Sequence, residues 1–385
     1  MYDLILIRFG ELSLKGKNKM HFVKQLAYNI SQICQLEYRL LQIEIDRIFI
    51  PYQEQFLKQL QFVFGISSFS PVYAVASDLE VMQAAILKHL PAGQSFKVNA
   101  RRHWKQFGQT SIELNAQIGA WIAQQTNLKV LLNQPEIEIQ LEVHQQKTYI
   151  FFNKIAGLGG LPVGISGQVV HLISGGIDSP VAAYQLMKRG VKVHFLAFIS
   201  PPHTDETTVD KLHQIVQLLN QYQSQATLYL CNYTEIMNYL ALTSNQAYKI
   251  VLMRRSFYRM ANVLANQLEA FAIANGENLG QVASQTMAAM QVIHDASALP
   301  VFQPLLTNDK LETIKLAEQI GTFAISTIKA CETCELFAPE QPSTKPNLAL
   351  AQKLEAELPL LSQLEMQALE NKTTVVHFVY PNKTQ

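Results

Sequence analysis

Hydrophobic and polar positions follow a regular alternation over the second half of the chain. After about residue 167, nearly continuous apolar runs are separated by amphipathic stretches with helical periodicity. Such apolar runs are typical of parallel strands that are covered on both faces, and the amphipathic stretches predict the covering helices. The predicted strands are 169–173, 191–199, 226–231, 270–276 and 301–305. The predicted helices are 180–189, 205–222, 246–267 and 308–320.

The first 160 residues have a different pattern. Short strand-like runs, among them LILIRF and EIEIQLEV, lie between helical segments, and this rhythm favours small α+β units. The stretch 156–167 is rich in glycine and is typical of a linker. A tail after Pro339 contains a helical stretch and ends in the strand-like run VVHFVY.

Composition narrows the class of protein. Hydrophobic residues make up 48% and charged residues 16%, so the chain can build sizeable cores. The formal net charge is +1, and any nucleic-acid binding must therefore come from local basic patches. No apolar run approaches the ~20 residues that span a bilayer, and the N-terminus lacks the features of a signal peptide. We therefore expect a cytoplasmic protein without a membrane segment.

The stretch LISGGIDSP, residues 172–180, carries the clearest chemical signal. It places two glycines between a predicted strand and a predicted helix, where backbone N–H groups can converge on an anion. The helix N-terminus adds unpaired donors and a partial positive charge. Asp178 or Ser179 can cap this helix, and Pro180 suits its first turn. The alternative is a capped strand-to-helix turn that binds no ligand.

The order SGGIDS resembles the pyrophosphate loop of the ATP pyrophosphatases, which cleave ATP between the α and β phosphates. Further segments resemble, in the same order along the chain, the tRNA 4-thiouridine synthetases. These segments are IRFGELSLKGKN (7–18), ARRHWKQFGQTSIELNAQIGAWI (100–122), IAGLGGLPVGISG (155–167), GENLGQVASQT (276–286) and NDKLETIKLAEQIGTF (308–323).

The resemblance implies a multidomain α/β and α+β fold. We expect a ferredoxin-like domain at 1–58, a THUMP RNA-binding domain at 59–160, and a doubly wound parallel-sheet pyrophosphatase domain of the PP-loop class at 161–385. The implied activity is an ATP- and Mg²⁺-dependent replacement of oxygen by sulfur at C4 of a tRNA uridine, where the acceptor stem meets the D arm. Some members add a rhodanese domain; we expect the form without it, and no role in thiamine thiazole synthesis.

The resemblance also assigns site residues. Catalytic roles fall on Asp178, which matches the essential loop aspartate, and on Lys310, which matches a lysine thought to act in catalysis. Each also has a structural alternative, a helix cap for Asp178 and an exposed first-turn lysine for Lys310. The implied ATP-binding residues are Leu172, Ile173, Ser174, Gly175, Gly176, Asp178, Ser179, Ala197, Phe198, Arg254, Gly276 and Gln285. Arg255 and Arg259 share another helix face and are open to a solvated surface role.

Two of the four cysteines, Cys331 and Cys334, form a CxxC pair. Aligned on the following LFAP, Cys334 matches the family's catalytic cysteine, which would carry a persulfide sulfur. Either Cys331 or Cys231 could then resolve the persulfide as a disulfide. A structural zinc site is the alternative, but the chain contains no second CxxC pair. Cys34 lies in an apolar helical run, and we expect it to be buried.

Two basic clusters in the first half predict contacts with tRNA phosphates. The predicted tRNA-binding residues are Lys15, Lys17, Lys97, Arg101, Arg102 and Lys105. We expect a cysteine desulfurase as sulfur donor and a homodimer. Two rival functions remain open at this point: a pyrophosphatase that modifies a small metabolite, and an RNA-binding protein whose ATP fold has no activity.

Overall fold

The computed structural model describes residues 1–330 and 337–380. The chain divides into two compact units, Met1–Gly159 and Gly160–Gln385. The predicted boundary at residue 58 lies inside the first unit and stays a prediction. Among the described residues, no helix is both long and apolar enough to cross a membrane.

The first unit is built on one mixed sheet. The order of its described strands is β2-β3-β1-β4-β8-β7-β5-β6, and β9 pairs with β4 beside this path. The strands are β1 (Leu4–Arg8), β2 (Gln42–Ile43), β3 (Arg47–Pro51), β4 (Ser68–Ala76), β5 (Ser95–Arg102), β6 (Lys129–Val130), β7 (Ile137–Val143), β8 (Lys147–Phe151) and β9 (Ile155–Ala156). The α-helices are α1 (Lys19–Ile33), α2 (Glu54–Gln59), α3 (Leu79–His89) and α4 (Ser111–Gln125).

Helix α4 shows how the sequence specifies these elements. Thr110 and Glu113 form a capping box that satisfies the first backbone N–H groups of the helix. Leu114, Ile118 and Ile122 recur at helical spacing and are buried in the core that α4 shares with the sheet. A polar start and an apolar stripe are therefore enough to place this helix.

Strands β4 and β5 were not predicted from the sequence. Strand β4 contains Pro71, a residue that normally argues against a central strand. Strand β5 alternates buried Phe96, Val98 and Ala100 with polar residues, but its basic residues suggested only a charged cluster.

The second unit is an α/β domain with a mostly parallel sheet. The described strand order is β14-β13-β10-β11-β12-β15, and only β15 pairs antiparallel. The strands are β10 (Gln168–Leu172), β11 (Lys192–Ile199), β12 (Gln225–Asn232), β13 (Ala272–Ala274), β14 (Val301–Phe302) and β15 (Thr373–Val379). The α-helices are α5 (Asp178–Lys188), α6 (Glu206–Leu219), α7 (Thr234–Leu240), α8 (Lys249–Gln267), α9 (Met287–His294), α10 (Lys310–Gln319), α11 (Phe323–Ser326), α12 (Leu348–Ala356) and α13 (Leu361–Asn371).

The predicted parallel sheet and its helices are confirmed. From β10 the chain builds outward through β11 and β12 on one side and through β13 and β14 on the other. Strand order therefore reverses at β10, and ligands bind at the carboxyl ends of the strands at such a switch point.

Helix α8 is buried and tied to the C-terminal tail by ion pairs. Arg255 forms two 3.0 Å hydrogen bonds to Glu355, and Arg259 binds Glu365 at 2.6 Å. The surface alternative is wrong for Arg255, which is 4% exposed. The tail, to which the sequence assigned no chemistry, supplies carboxylates that pair with Arg255 and Arg259.

The first unit has its own buried ion cluster around Glu142. Arg8 Nε donates to Oε1 and Arg47 Nε donates to Oε2, both at 3.0 Å. Burial alone would raise the pKa of Glu142, but the nearby His103 side chain and the two arginine charges hold it well below its usual range. Glu142 therefore stays ionised beneath the sheet surface.

The same cluster includes a possible set of metal ligands. One ligand atom from each of His103, Glu142 and His144 lies within 4.8 Å of the other two. Both carboxylate oxygens already accept from guanidinium groups, and Arg8 and Arg47 would repel a cation. The electrostatics therefore favour an ion-pair cluster over a metal centre.

We predict that Glu142→Gln lowers the free energy of unfolding of the first unit by about 3 kcal/mol at pH 7, because it leaves two buried arginines without their shared carboxylate. Both tryptophans of the chain, Trp104 and Trp121, lie in this unit, so urea unfolding followed by tryptophan emission reports on it.

The effect depends on pH in a defined direction. The folded pKa of Glu142 lies below its unfolded value of about 4.3, so its stabilisation is complete above that pH and declines as pH falls below it. The difference in unfolding free energy between wild type and Glu142→Gln should therefore shrink below about pH 4.

Glu37→Gln, which breaks an exposed pair with Arg39, serves as control and should cost under about 0.5 kcal/mol. Equal losses in the two variants would contradict the prediction.

Candidate active site

The loop between β10 and α5 is closed by its own hydroxyl groups. Ser179 Oγ accepts from the backbone N–H of Ser174 at 2.9 Å and donates to the Ser174 carbonyl oxygen at 3.1 Å. The N–H of Gly176 donates to Ser174 Oγ at 3.3 Å. These bonds fix a short ring of backbone at the N-terminus of α5, where helix donors converge.

The end of β13 presses directly on this loop at Gly276. A Cβ atom at Gly276 would lie 2.6 Å from both the N and Cα atoms of Ser179, and 2.7 Å from the carbonyl carbon of Asp178. Because those are backbone atoms, they cannot rotate away. Glycine is therefore required here for strand and loop to meet.

A buried histidine supports the loop from below. His171 is 0% exposed, and its Nε2 lies 2.8 Å from the carbonyl oxygen of Ser179. Burial lowers the pKa of His171 to about 4, so the ring is neutral at physiological pH. Since a carbonyl can only accept, Nε2 carries the proton and donates it to the first turn of α5.

One cavity at the carboxyl ends of β10, β11 and β13 collects the twelve residues predicted to bind ATP. They are Leu172, Ile173, Ser174, Gly175, Gly176, Asp178, Ser179, Ala197, Phe198, Arg254, Gly276 and Gln285. The cavity also contains residues that sequence reasoning missed. These are Leu196, Thr208, Leu212, Phe257, Asn275 and Glu277.

The cavity has an apolar end and a polar end. At the apolar end, the rings of Phe198 and Phe257 stack with 4.0 Å between centroids and an interplanar angle of 3°. Phe257 lies three residues after Arg254 and so shares its helix face, a spacing that could have identified it from the sequence. Gln285 Oε1 is buried and finds no hydrogen-bond partner among the described residues.

Asp178 and Lys310 meet at the mouth of the loop, although they are 132 residues apart in sequence. Lys310 Nζ lies 2.6 Å from Oδ1 and 2.8 Å from Oδ2 of Asp178. Gln281, another residue that the sequence did not indicate, donates to Oδ2 at 3.0 Å. Lys310 is the first residue of α10, which Asp309 and Glu312 start with a capping box.

A second cavity lies on the other side of Asp178. Its lining includes Gly176, Asp178, Asp205, Lys211, Gln281, Lys310, Ser326 and Lys329. Lys211 is buried, and its ammonium donates to the carbonyl oxygen of Ile328 at 2.8 Å. Ser326 Oγ donates to the carbonyl oxygen of Gly176 at 3.3 Å, which ties α11 to the loop.

The cysteines divide into two groups. Cys331 and Cys334 lie outside the described residues. Cys34 and Cys231 are free and buried, as expected for Cys34. Burial raises the pKa of Cys34 to about 12 and that of Cys231 to about 11, so both thiols are poor nucleophiles. This disfavours Cys231 as the resolving cysteine.

The six predicted tRNA-binding residues belong to the first unit but not to one surface. Lys97 and Arg101 share a face of β5, where Lys97 approaches Glu138 at 3.7 Å. Arg102 lies on the opposite face and donates to the Phe107 carbonyl oxygen at 3.2 Å. Lys105 and Lys17 are exposed, and Lys15 pairs with Glu11 at 3.5 Å.

A basic cavity that the sequence did not indicate lies beside Arg101. Its cationic lining residues are Arg8, Arg47, Arg101 and Lys154. Arg8 Nη2 is buried without a hydrogen-bond partner among the described residues. The signal that could have found this cavity is the alternation of β5, which places Asn99 and Arg101 on one side.

The parallel sheet and the glycine loop at its switch point define an ATP pyrophosphatase domain of the PP-loop class. Three family models match the chain: the ThiI ferredoxin-like domain over residues 4–70, the THUMP domain over 79–153, and Thiamine biosynthesis protein (ThiI) over 164–360. The chain therefore belongs to the ThiI family, and the family expected from the sequence is confirmed.

Similar proteins match nearly the whole chain. The probable tRNA sulfurtransferase of Mycoplasmopsis agalactiae is 51% identical over 97% of this chain and 98% of its own length. That of Metamycoplasma arthritidis is 50% identical with the same coverage. The crystal structure of a 4-thiouridine synthetase–RNA complex with bound ATP superposes with a TM-score of 0.90 and 32% identity, covering 98% of this chain and 100% of that one.

We predict that Gly276→Ala destabilises the second unit by about 2 kcal/mol, because the added methyl group collides with the backbone of the loop. Thermal unfolding followed by circular dichroism measures the loss. Gly108→Ala is the control, since a Cβ there meets nothing within 4 Å and the glycine needs no positive φ. A neutral Gly276→Ala would show that strand and loop can separate without cost.

Proposed function

We propose that this chain is an ATP-dependent tRNA sulfurtransferase that converts a tRNA uridine to 4-thiouridine. The observation that carries the proposal is the single cavity at the strand ends, which gathers the pyrophosphate loop with every residue predicted to bind ATP. The family membership and the 4-thiouridine synthetase fold support the same reaction. Neither a metabolite enzyme nor an inactive ATP fold accounts for this combination.

The shape of the cavity suggests how ATP lies in it. The apolar end at Leu172, Ala197 and Phe198 suits the adenine ring, since strand-end amides and aromatic side chains bind flat heterocycles. The loop at Ser174–Ser179 suits the β and γ phosphates because its N–H groups converge there. Gln285, with its unpartnered buried oxygen, suits a donor group on the nucleotide.

A magnesium ion fits the residues at the loop. Mg²⁺ in nucleotide sites is held by one or two carboxylates together with phosphate oxygens. Asp178 is the carboxylate suited to the ion, because its partner Lys310 is 42% exposed and can be displaced. Glu277, by contrast, is buried and held by Arg254, Tyr258, Asn275 and Gln303. When bound, the ion offsets phosphate charge during adenylation.

Asp178 and Lys310 form an exchangeable pair at the loop. The Lys310 side chain is 42% exposed, and exposed ion pairs contribute little net stability. A phosphate that enters the loop can therefore draw the ammonium away from Asp178. Lys310 would then stabilise the charge that develops as pyrophosphate leaves.

The reaction we propose has two stages. The C4 oxygen of the uridine attacks the α phosphate, which forms an adenylate and releases pyrophosphate. The terminal sulfur of a persulfide on Cys334 then attacks C4, and AMP leaves. The thiol of Cys331 attacks the Cys334 sulfur, which forms a disulfide and releases 4-thiouridine; a reductant must then restore both thiols.

The remaining assignments complete the proposal. The tRNA lies along the basic residues of the first unit, with Lys97 and Arg101 on one face of β5 and Lys15, Lys17 and Lys105 contributing further charge. Arg102 contributes to tRNA binding indirectly, because its hydrogen bond to the Phe107 carbonyl oxygen stabilises the turn after β5. A cysteine desulfurase supplies sulfur, the protein works as a homodimer in the cytoplasm, and the division into 1–58, 59–160 and 161–385 describes its domains.

We predict that Asp178→Asn and Lys310→Met each lower tRNA-dependent pyrophosphate release by at least about 100-fold. Asp178 would hold the magnesium ion, and Lys310 would stabilise the charge on the departing pyrophosphate. Unmodified tRNA and Mg-ATP are the substrates. Asp210→Asn, which changes an exposed aspartate on α6, should keep wild-type activity. Full activity in Asp178→Asn would contradict the proposal, as would pyrophosphate release that does not require tRNA.

We predict that Cys334→Ser forms no 4-thiouridine with a persulfide donor but is rescued by free sulfide, since sulfide can attack the adenylate directly. Mass spectrometry of nucleosides from the tRNA measures the product. Cys34→Ala is the control and should behave as wild type, because that thiol is buried in the first unit.

The resolving cysteine can be identified in the same assay. Cys331→Ser should accumulate tRNA joined to Cys334 through a disulfide, whereas Cys231→Ala should not, since Cys231 is 0% exposed. Thiolation by Cys334→Ser with the persulfide donor alone would contradict the role of Cys334. An adduct that appears in Cys231→Ala only would assign resolution to Cys231.

A further inference from the structure

A buried carboxylate lies at the polar end of the nucleotide cavity. Glu277 is 2% exposed and lines the cavity. Its Oε2 accepts hydrogen bonds from Tyr258 Oη and Asn275 Nδ2, each at 3.1 Å, and from Gln303 Nε2. Its Oε1 faces the guanidinium of Arg254 in a close ion pair. One carboxylate oxygen therefore anchors Glu277 through three hydrogen bonds, and the other holds Arg254.

We propose that Glu277 is a positioning residue that holds the Arg254 guanidinium in the nucleotide cavity. The inference rests on the proposed function, because that function supplies ATP as the ligand that Arg254 meets. Glu277 acts through Arg254 and does not itself need to touch the nucleotide.

The position of Glu277 in the chain links Arg254 to the pyrophosphate loop. The preceding residue, Gly276, lies against the backbone of Ser179, so the segment after β13 cannot shift without moving the loop. Because Glu277 pairs with Arg254, it also ties α8 to this segment. Arg254 is thereby placed relative to the phosphates and not only relative to α8.

Arg254 differs from the two other arginines of α8. Arg255 and Arg259 point to the C-terminal tail, where they pair with Glu355 and Glu365. Arg254 alone among the three lines the cavity. A long arginine side chain has many rotamers, and a buried carboxylate that pairs with its guanidinium removes most of that freedom before the ligand binds.

The three donors around Oε2 make Glu277→Gln a specific test. Tyr258, Asn275 and Gln303 all donate, so the glutamine must turn its carbonyl oxygen toward them. Its NH₂ group then faces Arg254, and two donors meet where an ion pair stood. The substitution keeps size and three hydrogen bonds while it removes the contact with Arg254.

The experiment measures binding of adenosine 5′-(α,β-methylene)triphosphate with Mg²⁺ by calorimetry, with full-length protein and without tRNA. We expect Glu277→Gln to raise the dissociation constant about tenfold or more, because the substitution removes a hydrogen bond between charged groups. With unmodified tRNA and ATP as substrates, KM for ATP should rise more than kcat falls.

A matched control is the buried carboxylate that pairs with another arginine of α8. Glu365→Gln removes another buried carboxylate, which accepts from Arg259 but does not line the cavity. It should lower the melting temperature and leave the dissociation constant unchanged. A merely structural role for Glu277 would make the two variants behave alike.

A double-mutant cycle tests the coupling with Arg254. Arg254→Met should weaken binding at least as much as Glu277→Gln, and it should also destabilise the fold by leaving Glu277 buried without its cation. The double variant should regain stability but bind no more tightly than Arg254→Met, because the two residues act as one unit.

The outcomes separate this inference from the proposed function. Wild-type affinity in Glu277→Gln together with weak binding in Arg254→Met overturns the positioning role alone. Additive losses in the double variant also overturn it, since they would show independent action. A wild-type protein that binds no analogue would overturn the ATP-binding part of the proposed function, and this inference with it.

Discussion

The contact between Gly276 and the first turn of α5 is the constraint on which the candidate site depends. It joins the end of β13 to the loop after β10 with no side chain between them. The loop is consequently held from three directions: by its own serine hydroxyls, by His171 beneath it, and by this strand beside it. A phosphate-binding loop must present several N–H groups in fixed positions, and such a support restricts their movement before the ligand arrives.

The arginines of α8 impose a second constraint on the fold. All three arginines of α8 meet a carboxylate, Arg254 on one face of the helix and Arg255 and Arg259 on another, because a buried charge without a partner would be costly. Because Glu355 and Glu365 come from the tail, α12 and α13 are needed to complete the core of the second unit. The tail thus has a structural reason to be present even though none of its described residues lines the nucleotide cavity.

Much of the fold and part of the site could be predicted from local sequence. The order strand, glycine pair, hydroxyls and helix fixes the loop chemistry within residues 172–180, and the apolar runs reveal the parallel sheet. The long-range ion-pair partners of the site residues could not be predicted in this way. Glu277 pairs with a residue on another element, and Lys310 reaches Asp178 across 132 residues. Strand β5 was hidden because basic residues mark its exposed face, so the alternation was interpreted as a charge cluster.

The two ion pairs of the site differ in a way that suits their proposed roles. The Arg254–Glu277 pair has side chains that are 17% and 3% exposed, so separating its charges would leave a carboxylate in a low-dielectric interior. The Lys310–Asp178 pair is 42% and 19% exposed, so a phosphate can take the place of Asp178 beside the Lys310 ammonium at small cost. Burial therefore makes the first pair a fixed reference for the nucleotide. Exposure leaves the second pair free to exchange partners as the phosphates are bound and pyrophosphate departs.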